Sequence, residues 1–364
     1  MSKPVMLALV TDAFGGRGGI AQYNRDFLGA LSDLGSMREI VVITRQAPEP
    51  VHPPESVTQL SPPRGKIAFA LRALLQAMKR RPAIVFCGHL NLTVLAWIAA
   101  RMCGARLIVQ AHGIEAWKRP SRLRRAAVEA ADLVLCVSRY TRSRVLNWAA
   151  IAPEHVAVLP DTVADIFEPG EAEALRSELG LEKRRVLLTV GRLDARERYK
   201  GHDDIIMAIP QLVSQDHDIA YIIVGEGDDR GRLEALTKAQ GVAERMRFLG
   251  PVPLQTLIAA YRTADLFVMP SRGEGFGIAF LEALACGTPA LGLAIGGACD
   301  ALADGELGRM AAEADNLAEV IADLLSTPSA PTRGILSSSV RARFGRAAFR
   351  ERVNLVLGRL AVPA

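Results

Sequence analysis

Two glutamates, Glu274 and Glu282, lie eight residues apart around a glycine-rich turn, Gly273-Glu274-Gly275-Phe276-Gly277, that runs into the apolar stretch Ile278-Ala279-Phe280-Leu281. Eight residues of helix make a little over two turns, so the second carboxylate can share a face with the loop that holds the first. The start of such a helix leaves backbone N–H groups unbonded and attracts anions. Two carboxylates beside an anion site suit a ligand that carries both hydroxyls and phosphates. Upstream, Gly191-Arg192-Leu193-Asp194 follows a strand pattern and Tyr199-Lys200-Gly201 comes soon after. The planar guanidinium of Arg192 and the point charge of Lys200 together suit a diphosphate. They also suit a solvated loop, because Arg196, Glu197 and Arg198 intervene. Val224-Gly225-Glu226-Gly227 is another strand-to-glycine turn, fitted to lining a nucleotide base.

In the first half, Thr11-Asp12-Ala13-Phe14-Gly15-Gly16-Arg17-Gly18-Gly19 joins a strand pattern to a helical one. Its glycines allow close backbone approach to a ligand, a reading favoured over a tight turn without one because the loop is expected to face a cleft. Gly16-x-Gly18-x-x-Ala21 formally matches a dinucleotide fingerprint. The next strand pattern ends in Thr44-Arg45, with no acid for a ribose, which counts against NAD. His112 follows a strand pattern at Arg106-Gln110, a place from which a side chain can meet a sugar hydroxyl or a developing oxyanion. Asp203-Asp204 and Asp228-Asp229 read as acids of loops and helix starts, and no metal site is assigned.

The elements that position these residues alternate short β-rich runs with longer amphipathic ones, the mark of parallel sheets in an α/β protein. Strands are expected at Val5-Val10, Glu39-Thr44, Ala83-Cys87, Arg106-Gln110, Leu133-Val137 and His155-Leu159. The rhythm restarts with Val186-Val190, Ala220-Val224, Met246-Leu249, Leu266-Met269 and Pro289-Leu293. Helices are expected at Ile20-Leu34 and Ala68-Lys79, and a basic one over Ser337-Leu360. The connector near Pro160-Gly170 reads as a hinge between two sheet domains, which places a ligand in the cleft at the carboxyl ends of the strands.

At 364 residues, half of them hydrophobic, the chain has material for two domains with ample cores. A net charge of +5 fits an anionic ligand or an anionic membrane surface. Aromatics are 5% and do not interleave with arginine, which argues against nucleic acid. Five scattered cysteines form neither a zinc pattern nor a disulfide framework and suit a reducing cytoplasm. The first apolar run is too short for a signal sequence, and Leu92-Ala100 is too short to span a bilayer. Any membrane contact is therefore expected to be peripheral. The stretch Lys66-Arg81 has apolar residues at helical spacing with basic ends, and Arg119, Arg122, Arg124 and Arg125 cluster nearby. Both suit an anionic membrane, and the first suits equally an ordinary helix covering a sheet.

The first glycine loop, Gly191-Arg192-Leu193 with Lys200-Gly201, Gly225-Glu226-Gly227, and Pro270-Ser271-Arg272-Gly273-Glu274-Gly275-Phe276-Gly277 through Glu282-Ala283-Leu284-Ala285-Cys286-Gly287 occur in one order. In that order the chain resembles retaining glycosyltransferases of family 4, the group 1 class with a GT-B fold, over nearly its whole length. The resemblance implies an α/β protein of two Rossmann-like domains with parallel sheets facing an interdomain cleft. Residues 1–165 would form the acceptor-side domain, 166–345 the donor domain, and 346–364 a helix packing back on the first. It implies Glu274 at the donor sugar, Glu282 on the ribose hydroxyls, and Arg192 and Lys200 on the diphosphate. The backbone at Phe276, Gly277 and Ile278 would cap the phosphates, with Gly225 and Glu226 also on the donor. Gly18 and Gly19 would close over phosphate and acceptor, and His112 would contact the sugar. Glu274, His112, Arg192 and Lys200 are the catalytic candidates.

The implied reaction moves a glucose- or mannose-type hexose from a UDP or GDP sugar to a glycan or lipid-linked saccharide, forming an alpha linkage in polysaccharide biosynthesis. No cofactor or metal ion is implied, and the place is the cytoplasm or the inner face of its membrane. One departure is Pro160-Asp161-Thr162-Val163, where the family often carries Pro-Asn-Gly-Val. Two other readings stand beside this one. An NADP-dependent oxidoreductase would use the first glycine loop but leaves Arg192, Lys200, Glu274 and Glu282 unexplained. A nucleotide-sugar epimerase or binding protein of the same fold would keep the donor residues.

Overall fold

The structure, a computed structural model, describes residues 3–47, 52–171, 173–313, 315–326 and 333–360. The chain divides into two compact units, Met1–Thr162 with Arg346–Ala364, and Val163–Gly345. Residues 361–364 of the expected C-terminal segment lie outside the described residues.

In the first unit, runs of Val, Ile and Leu form seven parallel strands among the described residues. They are β1 (Val5–Val10), β2 (Glu39–Thr44), β3 (Val57–Leu60), β4 (Ile84–Cys87), β5 (Arg106–Ala111), β6 (Leu133–Cys136) and β7 (Val156–Val158), in the order β3-β2-β1-β4-β5-β6-β7. All six residues of β1 are buried, as a strand covered on both faces requires. On one face Leu7, Leu9, Val41, Val85 and Val109 meet Phe69, Ala73 and Ala77 of the helix Gly65–Arg80 and Ala96, Ala99 and Ala100 of the helix Thr93–Cys103. Elsewhere in this core Phe27 of the helix Gly19–Asp33 lies 4.6 Å from Phe86, centroid to centroid, and Tyr23 meets Phe349 edge-on. Each such side chain stabilises the fold by about 1.5–3 kcal/mol when fully buried.

The second unit repeats the plan with β8 (Arg185–Val190), β9 (Ile219–Val224), β10 (Met246–Gly250), β11 (Leu266–Met269), β12 (Ala290–Leu293) and β13 (Arg309–Ala311), in the order β10-β9-β8-β11-β12-β13. Every described pairing of these named strands is parallel. In both sheets the strand order reverses beside the first strand, between β1 and β4 and between β8 and β11. That reversal is where a doubly wound sheet opens to ligands at its carboxyl edge. The fold is therefore α/β of the GT-B type, two Rossmann-like domains.

Two expectations need correction. Strands β3 and β13 were not legible: Val57-Thr58-Gln59-Leu60 is half polar, and Arg309–Ala311 is three residues at a sheet edge. The single basic helix over Ser337-Leu360 is two, Arg333–Phe344 and Arg346–Gly358. The break comes where Val163 and Gly345 form a parallel bridge and Val163 N–H donates to Phe344 O at 3.0 Å. A Cβ at Gly345 would lie 2.5 Å from Arg341 O. Within the connector Asp161, Thr162, Val163 and Phe167 are buried, and Asp165, Ile166 and Glu168 are exposed.

At the carboxyl edge of the second sheet, loops pack backbone on backbone. Gly191 N–H donates to Val224 O at 2.9 Å and Leu193 N–H to Glu226 O at 3.0 Å. Gly225 takes φ 139°, and a Cβ there would sit 1.9 Å from Gly191 O. Gly225→Ala is therefore expected to destabilise the protein by about 2–4 kcal/mol in urea or thermal unfolding. Gly231→Ala, in the helix Arg230–Ala239 with open space around it, is expected to raise stability by up to about 1 kcal/mol. Equal effects of the two changes would refute the close-approach reading.

Candidate functional site

In the second unit four loops converge at the carboxyl edge. The first follows β8 and carries Arg192, then a 3₁₀ turn, Ala195–Lys200, begun by Asp194, which accepts Arg196 N–H at 2.9 Å. The second, after β9, braces it: Asp229 N–H donates to Leu193 O at 2.8 Å, and Asp228 accepts Ala195 N–H at 2.8 Å. The third follows β11, and Arg272 N–H donates to Tyr199 O at 2.8 Å. A Cβ at Gly273 would strike the Tyr199 ring at 2.6 Å, and one at Gly201 would meet Pro270 O at the same distance. The fourth, Ala294-Ile295-Gly296-Gly297 after β12, donates Gly297 N–H to Glu274 O at 2.9 Å.

This packing brings Arg192, Lys200 and Glu274 into one charged cluster with Glu197. Arg192 donates to Glu197, and Lys200 Nζ lies 3.7 Å from the other oxygen of the same carboxylate. Burial pushes the Glu274 carboxyl above its ordinary value, and Glu197 pushes the same way. Lys200, the Gly275 N–H and Arg192 oppose them. Directly after Glu274, Gly277 takes φ 104° and begins the helix Ile278–Ala285 with no side-chain cap. The N–H groups of that first turn are thus presented by backbone alone. Phe276, itself buried, packs edge-on against Phe344 at 5.6 Å.

Glu282 lies on the same helix but faces a different partner. It is buried, and its Oε2 accepts a hydrogen bond from the Tyr261 hydroxyl at 2.7 Å. Glu226 is exposed and paired to Arg230 at 3.1 Å, so its contribution to the cluster is its backbone. The acids weighed as metal ligands hold arginines instead: Asp203 and Asp229 grip Arg232, and Asp204 grips Arg272. Among the described residues no group of three or more His, Cys, Asp or Glu is placed to hold a metal ion.

Beneath the loops runs a buried chain of hydrogen bonds. His202 Nδ1 donates to the Tyr221 hydroxyl at 3.3 Å, Tyr221 to Thr189 Oγ1 at 2.8 Å, and Thr189 to Val268 O at 2.5 Å. It ties the residue after Lys200-Gly201 to β9, β8 and β11, the strands that feed three of the four loops. Burial, with Lys200 adding, pushes the His202 imidazole down to about 4.

The first unit holds Gly18, Gly19 and His112. Gly18 takes φ 87° ahead of the helix Gly19–Asp33, which has no side-chain cap. A Cβ at Gly16 would fall 2.0 Å from the Asp12 carboxylate. His112 Nε2–H donates to Gly88 O at 2.9 Å, its backbone N–H donates to Glu115 at 2.6 Å, and its ring meets Tyr23 edge-on at 5.2 Å. Burial pushes its basicity down, so the ring is neutral near pH 7 with Nδ1 free of a proton. His89, which sequence reasoning passed over, lies 6.2 Å from it.

Other residues escaped notice in sequence for definite reasons. Glu197 sits between Arg196 and Arg198 and read as solvated. Tyr261 is 21 residues from Glu282, beyond any helical spacing. Gly296-Gly297 did carry a signal, since it follows a strand as the other glycine loops do.

A family model described as Glycosyl transferases group 1 matches residues 171–348, and one described as Glycosyltransferase Family 4 matches residues 17–164. The chain is 34% identical over 253 residues to the GDP-mannose-dependent alpha-(1-6)-phosphatidylinositol monomannoside mannosyltransferase of Mycolicibacterium smegmatis, a match spanning 65% of each protein. It is 31% identical over 309 residues to D-inositol 3-phosphate glycosyltransferase 1 of Catenulispora acidiphila, covering 77% of this chain and 72% of that one. Among solved structures, Anabaena Alr3699/HepE in complex with UDP-glucose superposes with a TM-score of 0.80 at 20% identity, covering 98% of this chain and 100% of that one. Sucrose-phosphate synthase from Thermosynechococcus elongatus gives 0.79 at 22% identity, covering 99% and 100%.

The buried histidine sets a pH dependence. Its folded value lies below the ordinary 6.5, so the folded state resists its protonation. Its contribution is fully present above about pH 6.5 and is lost as pH falls toward 4, by up to about 3 kcal/mol. His202→Asn is expected to flatten the stability curve over that window relative to the parent, measured by urea unfolding. Parallel curves would refute the assignment.

Proposed function

Because the chain belongs to the family 4, group 1 glycosyltransferases, we propose that it is a retaining hexosyltransferase taking a glucose- or mannose-type sugar from a UDP or GDP donor. The observation that carries this reading is the cluster of Arg192, Lys200 and Glu274 beside the uncapped helix start at Gly277 and Ile278. Two cations and a set of N–H groups match a diphosphate, and a carboxylate one turn away matches sugar hydroxyls. The donor classes are suggested by relatives: the mycobacterial enzyme is GDP-mannose-dependent by name, and Anabaena Alr3699/HepE was solved with UDP-glucose.

In this reading the bond between the anomeric carbon and the phosphate oxygen breaks as the acceptor hydroxyl attacks from the same face. The hydroxyl proton passes to the leaving phosphate. Arg192, Lys200 and the helix N–H groups stabilise the charge that develops on the diphosphate. No metal ion is required for that role. Glu274 orients the sugar, Glu282 with Gly225 and Glu226 lines the nucleoside, and Gly18, Gly19 and His112 serve phosphate, acceptor and sugar. His112, neutral with Nδ1 as an acceptor, suits a sugar hydroxyl.

The acceptor is proposed to be a glycan or lipid-linked saccharide met at the inner face of an anionic membrane, in polysaccharide biosynthesis. The helix Gly65–Arg80 supports this. It turns Phe69, Ala73 and Ala77 inward and leaves Ile67 79%, Leu71 57%, Leu75 58% and Met78 51% exposed. From Arg64 to Arg81 there are six basic residues and no acidic one. An apolar stripe set in a basic surround is the pattern of a helix lying in a lipid headgroup layer. No helix of the described residues is long and apolar enough to cross a membrane.

Glu274→Ala and Lys200→Ala are each expected to lower turnover about 100-fold or more while melting like the parent. A panel of UDP, GDP and ADP sugars with labelled hexose identifies the donor, and near-normal transfer by either variant rejects the site. A sugar of changed configuration formed without acceptor would favour an epimerase instead. On anionic vesicles at low salt the protein is expected to sediment, and Leu71→Glu with Leu75→Glu to stay in solution. No sedimentation of the parent rejects membrane contact.

A further inference from the structure

The charged cluster contains a residue that the donor reading leaves without a task. Glu197 is held by the loop itself. Its N–H donates to Asp194 O at 2.7 Å, and its backbone departs from the 3₁₀ geometry of its neighbours at φ −115°, ψ 25°. Its side chain is only 12% exposed, whereas that of Arg192, which it grips, is 72% exposed. Its second oxygen is buried, 3.7 Å from Lys200 Nζ, and hydrogen-bonded to none of the described residues. The charged groups that face it are Arg192, Lys200, Arg196 and Glu274.

We propose that Glu197 is an internal counter-ion of the diphosphate clamp, a carboxylate that competes with the nucleoside diphosphate for Arg192 and Lys200 and so sets how tightly donor and product are held. The inference rests on the reading that Arg192 and Lys200 bind the diphosphate. One carboxylate bridging two cations has the charge and spacing of a phosphate oxygen pair. A buried carboxylate with one oxygen short of hydrogen bonds is poorly satisfied, so its grip is one that a better acceptor can displace. The exposed partner, Arg192, is the one able to turn from Glu197 to a ligand. Glu197 stays in place and keeps Lys200 within reach. A clamp of two bare cations would hold a released diphosphate too long, and a resident carboxylate weakens that hold.

The test is isothermal titration of the full chain with UDP, GDP and inorganic pyrophosphate. Glu197→Gln keeps shape and removes charge. It is expected to bind pyrophosphate, and whichever nucleotide the parent binds, about tenfold more tightly, with a steeper loss of affinity in salt. Glu197→Asp keeps the charge and is expected to stay within about threefold of the parent. A merely structural Glu197 predicts the opposite sign, because a loosened clamp binds more weakly. Equal or weaker binding by Glu197→Gln overturns the proposal, as does tightening by Glu197→Asp to the same degree. If the glutamine variant fails to fold, Glu197→Ala decides by the same sign. Lys200→Ala and Arg192→Ala separate the two levels: weaker binding in both, without tightening in Glu197→Gln, sinks only the counter-ion role. Unchanged binding in both sinks the clamp, and the counter-ion role with it.

Discussion

The site in the second unit depends on backbone touching backbone. The loop after β8 and the loop after β9 lie so close that a single methyl group at Gly225 or Gly227 would overlap the carbonyl of Gly191 or Leu193. The same holds where Gly201 meets Pro270 and where Gly297 meets Gly275. With no side chains separating them, the loops exchange main-chain hydrogen bonds and become one surface. Glycine gives up helix and strand stability at each of these places. The return is that Arg192, Lys200 and Glu274, drawn from separate stretches of sequence, are held on a common and poorly yielding base.

That base explains how the cluster tolerates its own electrostatics. Two cations and two carboxylates are crowded where Lys200 and Glu197 are largely shielded from water. The Glu274 carboxyl is held above its ordinary value, and one oxygen of Glu197 has no hydrogen bond to the described residues. Burying charge without full compensation costs stability, and a sheet edge of β8, β9 and β11 tied together through Val268, Thr189, Tyr221 and His202 can absorb that cost. Unsatisfied charge on rigid elements is the usual signature of a place kept for a ligand rather than for folding. Asp203, Asp204 and Asp229 make the contrast, since each is matched to an arginine.

Much of this was legible in sequence because the signals were local. A strand that ends in glycine and turns into an apolar helix is written in consecutive residues, and so the loops that carry Arg192, Lys200, Gly225, Glu274 and Gly277 could be placed at strand ends. Strands with continuous Val and Ile runs were found for the same reason, and the half-polar β3 and the three-residue β13 were not. What escaped depends on contacts distant in sequence. Tyr261 reaches Glu282 from another helix, and Gly345 ends a helix because Val163 pairs there. Glu197 is the sharper case. Its neighbours Arg196 and Arg198 made it look solvated, yet its side chain is largely buried at a kink in the 3₁₀ turn, and no periodicity rule forecasts a kink.

The helix Gly65–Arg80 shows the same limit from another side. Its apolar residues recur at helical spacing, which is the pattern of a helix covering a sheet, and it does cover one. Yet the residues that meet the sheet are Phe69 and the small Ala73 and Ala77, which let the helix approach closely. The larger Ile67, Leu71, Leu75 and Met78 are left outside. Spacing alone does not say which apolar residues face the sheet, and here Phe69 goes in while Ile67, Leu71, Leu75 and Met78 stay out. Each of the four loses the favourable transfer it would gain by leaving water. The flanking charge is of one sign, with six basic residues and no acidic one from Arg64 to Arg81.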